Sequence, residues 1–283
     1  MLQTIDLKAK EEFLQGAAGK LFVRSWQPEG KSRAALVFVP GFNAHSGYFL
    51  WAGQQLASLG LSVYALDLRG RGKSDGERFY VEKFEDYAAD VDRVMQEVRS
   101  REPGLPIFLM GHSAGGVTAC IYALDHQKDL AGLICESFAF QTPAPDVALS
   151  ILKGLSHIAP HLHVIKLKNS DFTRDPKAVE QMNADPLIKD ETQPTETMAA
   201  LVRADERLKE NLSKITLPLL ILHGTSDNAA KHSGSEQFNK VASSNDKTLK
   251  LYDGHYHDLL NDLGKEQVMG DIQDWLGQRL PKV

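Results

Sequence analysis

A chain of 283 residues that is 42% hydrophobic has the length and apolar content for one sizeable buried core. Its net charge of −5 argues against nucleic acid or an anionic membrane as an electrostatic partner. No run approaches the ~20 apolar residues of a membrane span, and residues 1–15 are charged without the apolar stretch of a leader, so a cytoplasmic protein is expected.

Strands and helices alternate along the first half. A strand is predicted near 20–26 and another at 34–39, which runs into Pro40-Gly41-Phe42-Asn43. A helix follows at 48–59 and a strand at 61–66. The next stretch, Asp67-Leu68-Arg69-Gly70-Arg71-Gly72, lacks the spacing of a phosphate loop. It reads as a structural turn in which Asp67 and Arg69 bond loops. A helix at 81–99, a strand at 106–110, a helix at 113–125 and a strand at 131–136 complete this half. After Phe140 the alternation breaks. Residues 141–216 carry prolines, three histidines and the amphipathic stretches 178–183 and 197–212. The alternation resumes with strand 217–222, helix 233–243, strand 247–252 and helix 263–278. The expected fold is therefore α/β: a mostly parallel sheet flanked by helices, with core 1–140 and 217–283 and a helical cap at 141–216 that contains no strands.

The most informative stretch is Gly111-His112-Ser113-Ala114-Gly115. It lies between an apolar strand and a helix of small apolar residues. Small residues two before and two after the serine let the chain turn sharply, and the hydroxyl then stands at a helix N-terminus where free N–H groups hold an oxyanion. Ser113 is the expected nucleophile. Its partners should follow in the order acid, then base. Asp227 comes shortly after the apolar run 217–222, in which Pro218 is tolerated near the start. His255 and His257 directly follow the strand that ends at Tyr252. His257 sits at a loop-to-helix junction and is the expected base, with His255 a polar loop residue. The oxyanion donors would be the amides of Phe42 and Ala114. Cys120 and Cys135 lie in apolar runs and are expected to be buried free thiols. His161 and His163 have no further ligands beside them, and no metal or cofactor is expected. In the cap, Leu149, Ile151, Leu152, Leu155 and Ile158 form an apolar stripe, which suits an acyl pocket and simple packing equally.

Four segments carry a resemblance over nearly the whole chain: 40–47, 67–76, 111–116 and the pair Asp227 and His257. The chain resembles the α/β-hydrolase superfamily, in the branch of monoacylglycerol lipases, lysophospholipases and related serine esterases. That resemblance implies Ser113, Asp227 and His257 as a catalytic triad and a lipid-like monoester as substrate, with Gly41, Leu152 and Leu155 lining its site. Three departures from the branch, at four positions, stand out. Pro40 stands where its oxyanion loop has histidine, Ala44 and Tyr48 replace a Glu and an Arg that help hold glycerol, and Arg71 replaces a histidine. Esterase chemistry without a charged glycerol subsite is thus expected. Acyl transfer, perhydrolysis and amide hydrolysis share the triad. A ligand-binding homologue without turnover is the alternative of another class, against which the complete Ser–Asp–His set argues. The expected partner is a small acyl ester, with no more than transient contact with lipid surfaces.

Overall fold

The computed structural model describes residues 7–141 and 146–281. Eight strands form the main sheet in the order β1 (Lys10–Gly16), β2 (Gly19–Trp26), β4 (Leu61–Leu66), β3 (Ala34–Val39), β5 (Ile107–His112), β6 (Gly132–Glu136), β9 (Leu219–Gly224) and β10 (Lys247–Tyr252). From β4 to β10 every pairing is parallel, and β1 and β2 close one edge antiparallel.

The central strands are buried along their whole length and mostly apolar, because both faces are covered. Side chains of a strand alternate between faces. Ala35, Val37 and Val39 of β3 therefore enter one core with Leu109 of β5 and Ile221 of β9, while Leu36 and Phe38 join Phe108, Met110 and Leu222 in the other. Helices α2 (Phe84–Arg101), α3 (Ala114–His126) and α6 (Thr195–Asn211) cover the first face. Helices α1 (Leu50–Ser58) and α8 (Lys265–Gly277) cover the second. Cys120 on α3 and Cys135 on β6 are buried and free, with their sulfurs 3.6 Å apart. No helix among the described residues is long and apolar enough to cross a membrane.

Strand order reverses at β3: the chain moves to β4 on one side and then to β5 on the other. At such a reversal the loops leaving the carboxyl ends of the two strands diverge and open a crevice. Here those loops are 40–43 and the turn at Ser113.

One expectation needs correction, and one strand is additional to those predicted. The segment between β6 and β9 is not free of strands. Besides α4 (Asp146–Ser156), α5 (Pro176–Ala184) and α6, it holds a short antiparallel pair, β7 (His163–Ile165) with β8 (Gln193–Pro194). Lys10–Gly16, for which no element is predicted, forms the strand β1, hairpinned onto β2 through residues 17–18. Its charges sit on an open sheet edge, where they discourage pairing with other chains.

Candidate active site

Ser113 connects β5 to α3 with φ 55° and ψ −121°, a left-handed backbone that an L-residue adopts at a cost of order 1–3 kcal/mol. The turn is held from both sides. Its N–H donates to the carbonyl of Glu136 at 2.9 Å, and its carbonyl accepts from Gly116 N at 2.9 Å. The glycines are required by close approach. A Cβ on Gly115 would lie 2.2 Å from the Val39 carbonyl oxygen, and one on Gly111 would lie 2.3 Å from that of Gly115. Gly41 rests on the turn itself, since a Cβ there would meet Ser113 Cβ at 2.8 Å and the Ala114 nitrogen at 3.3 Å. The loop carrying Phe42 and the start of α3 are therefore in contact, as two donors to one oxyanion need to be.

Asp227 and His257, on the loops after β9 and β10, meet. Asp227 Oδ2 is 2.6 Å from His257 Nδ1, and both side chains are buried. The same oxygen is 2.9 Å from Nε2 of His223, whose Nδ1 meets Ser235 Oγ at 2.7 Å. The other oxygen, Oδ1, accepts from the amides of Ala229 and Ala230. Burial alone would raise the Asp227 pKa, but the neighbouring His257 and His223 outweigh it and hold the carboxyl well below its usual range. The His257 ring lies 5.0 Å from that of His112, the residue before Ser113, and the edge of Phe172 caps it at 4.9 Å. Its Nε2 is buried and makes no hydrogen bond. His255 lies elsewhere: its Nδ1 is 3.2 Å from the carbonyl oxygen of Asp253.

His112, Glu136 and Asp258 form a second buried cluster, with ligand-type atoms all within 4.8 Å of one another. Burial works against a charged imidazole here, yet the Glu136 carboxylate at 3.3 Å prevails and lifts the His112 pKa to about 9. A protonated imidazole has no lone pair to offer a metal, and both oxygens of Asp258 already accept from Asn261. The cluster, one imidazole facing two carboxyl groups, is a buried post behind the site. Because the folded value exceeds the ordinary ~6.5, the stabilisation it gives is complete below that pH and disappears as pH rises through about 9. Wild-type Tm should thus fall by several degrees over this window, and His112→Gln should flatten the fall. A parallel decline in both proteins, followed by calorimetry, would refute this.

An apolar cavity of about 300 Å³ borders the acid loop. Its walls include Leu149, Leu152, Phe172, Met198, Leu201 and Ala229. Leu152 is on this wall; Leu155 is half-buried and is not, while Ile151 and Ile158 are exposed at 65% and 83%. The expected stripe is therefore split. His161 and His163 are held apart, at Glu77 and at the Thr192 carbonyl. Asp67 does bond loops, through the amides of Ser46 and Lys73, whereas Arg69 pairs with Asp90 on helix α2 and not with a loop. His223, Phe172 and the His112 cluster escaped sequence reasoning; only the spacing of His223 four residues before Asp227 hinted at the first.

Comparison with known proteins agrees with this architecture. A family model described as Hydrolase_4, serine aminopeptidase, S33, matches residues 30–264. Monoglyceride lipase of Homo sapiens is 33% identical over 264 residues, covering 92% of this chain and 87% of that protein. Monoacylglycerol lipase of Mycolicibacterium smegmatis is 28% identical, covering 90% and 92%. The crystal structure of Paleococcus ferrophilus monoacylglycerol lipase superposes with a TM-score of 0.83 at 28% identity, covering 92% of this chain and 99% of that one. The chain thus belongs to the Hydrolase_4 (serine aminopeptidase, S33) family and, among the α/β-hydrolases, to the monoacylglycerol lipase-like branch of ester hydrolases.

Proposed function

We propose that the protein hydrolyses lipid-like monoacyl esters through an acyl-enzyme on Ser113. The observation that carries this reading is the left-handed Ser113 beside a buried Asp227–His257 pair, the latter packed on the residue before the serine. With Nδ1 held by Asp227, the nitrogen left for the serine proton is Nε2. His257 takes that proton as Ser113 Oγ attacks the ester carbonyl. The Phe42 and Ala114 amides receive the oxyanion, a role worth about 10²–10³-fold in rate per donor. The alcohol leaves with the proton from His257, and water repeats the sequence on the acyl-enzyme. The segment 141–216 acts as the cap, and the cavity bordered by Leu149 and Leu152 suits the acyl chain. Two buried free thiols support a reducing, cytoplasmic setting. Turnover of a p-nitrophenyl acyl ester, with a fluorophosphonate adduct mapped to Ser113 by mass spectrometry, tests the assignment. An adduct on another residue, or no turnover, rejects it.

The alcohol side lacks charged groups at Ala44 and Tyr48, and the Tyr48 phenol is engaged by Asp185. A subsite built to bond a hydroxyl discriminates steeply against its loss, whereas an apolar one separates substrates by only ~1–3 kcal/mol. The kcat/KM for a monoacylglycerol should therefore lie within about tenfold of that for the matching simple alkyl ester. A preference of about a thousandfold for the glycerol ester would show that other residues rebuild the subsite.

A further inference from the structure

Arg71, which stands where the resembled enzymes have histidine, is only 1% exposed and so is its ion-pair partner, Glu191. The pair joins two parts of the chain. Arg71 follows β4 in the core, whereas Glu191 belongs to the segment between β6 and β9. Glu191 Oε1 accepts from Arg71 Nη1, from Gln193 Nε2 at 2.6 Å and from the backbone amide of Asn43 at 2.9 Å. Asn43 is the residue after the proposed oxyanion donor Phe42, and it is itself left-handed at φ 51°. The guanidinium is fixed in turn by Tyr87 Oη at 3.0 Å and Gln193 Oε1 at 2.9 Å. It lies 4.2 Å from the centre of the Phe42 ring. The carboxylate oxygen thus holds Asn43 by its backbone amide, and the guanidinium holds Phe42 by its ring.

We propose that Arg71 and Glu191 are positioning residues that set the Phe42 amide for the oxyanion, so that the hole is correctly formed only when the 141–216 segment is seated on the core. The inference rests on the esterase reading. Breaking one partner of a buried pair strands a charge, so the decisive variant removes both. R71M/E191M is expected to lose about tenfold or more in kcat per fluorophosphonate-titrated site, with KM within about threefold of wild type. Affinity for a trifluoromethyl ketone, which forms the oxyanion, should fall in the same proportion. E191D keeps the charge but withdraws the carboxylate from Asn43, and it should lose severalfold in kcat per site. It serves if the double variant does not fold. A kcat per site within about twofold of wild type in a folded variant overturns the proposal, as does lower kcat with unchanged ketone affinity. Loss of titratable sites with kcat per site intact makes the pair purely structural and overturns it too. Failure of wild-type Ser113 to take the label would instead defeat the esterase reading.

Discussion

Ser113→Ala is expected to melt at the wild-type temperature or slightly above it and to lose about 10⁵–10⁶-fold in kcat. The size of the loss follows from the geometry. No other hydroxyl occupies the strand-to-helix turn, and the covalent route ends without one. What remains is the binding and oxyanion contribution, about 10³–10⁴-fold over water. The neutral effect on stability follows from the backbone, since glycine-like strain at φ 55° is the same for serine and alanine. Hydrolysis of a chromogenic ester, corrected for contamination by a fluorophosphonate titration, measures the effect. A mutant within about tenfold of wild type would remove Ser113 from the mechanism.

The two histidines after β10 should differ just as sharply. His257→Ala removes the imidazole bonded to Asp227 at 2.6 Å and should cost about 10⁴-fold or more in kcat. His255→Ala removes a ring whose bond is to the carbonyl of Asp253 in its own turn, and kcat should stay within about tenfold. Parallel assays of both variants decide it, and exchanged phenotypes would move the base to His255.

Much of this was legible in the sequence because buried parallel strands leave a plain mark. The predicted strands at 34–39, 61–66 and 247–252 coincide with β3, β4 and β10, and the others fall within two residues of those observed. The serine turn and the loops bearing Asp227 and His257 were legible for the same reason, each lying at the end of such a strand. Strand β1 was not: its sequence, Lys-Glu-Glu-Phe-Leu-Gln-Gly, carries the polarity of a loop because an edge strand tolerates it. The β7–β8 pair is too short for any periodicity to register. Glu191 and Glu136 were invisible for another reason. A buried carboxylate is recognised by its partners, and Arg71 and His112 lie far from them along the chain.

The chain leaves the sheet after Glu136 and re-enters it at Leu219 on the very next strand, with Leu133 aligned to Leu219. Entry and exit are thus side by side, and the intervening segment can lengthen, shorten or be exchanged through evolution without altering one rung of the ladder. It is bound to the rest of the molecule by the packing of α6 on the first face of the sheet and by polar tethers of which three stand out. Arg174 meets Asp262, the Phe172 carbonyl accepts from Asp258 N at 2.7 Å, and Glu191 reaches Arg71. A descendant that acquires a new segment inherits the ladder but must rebuild that packing and those tethers, Glu191 on the 40–43 loop among them. The sheet is in this sense indifferent to the segment, whereas the 40–43 loop is not.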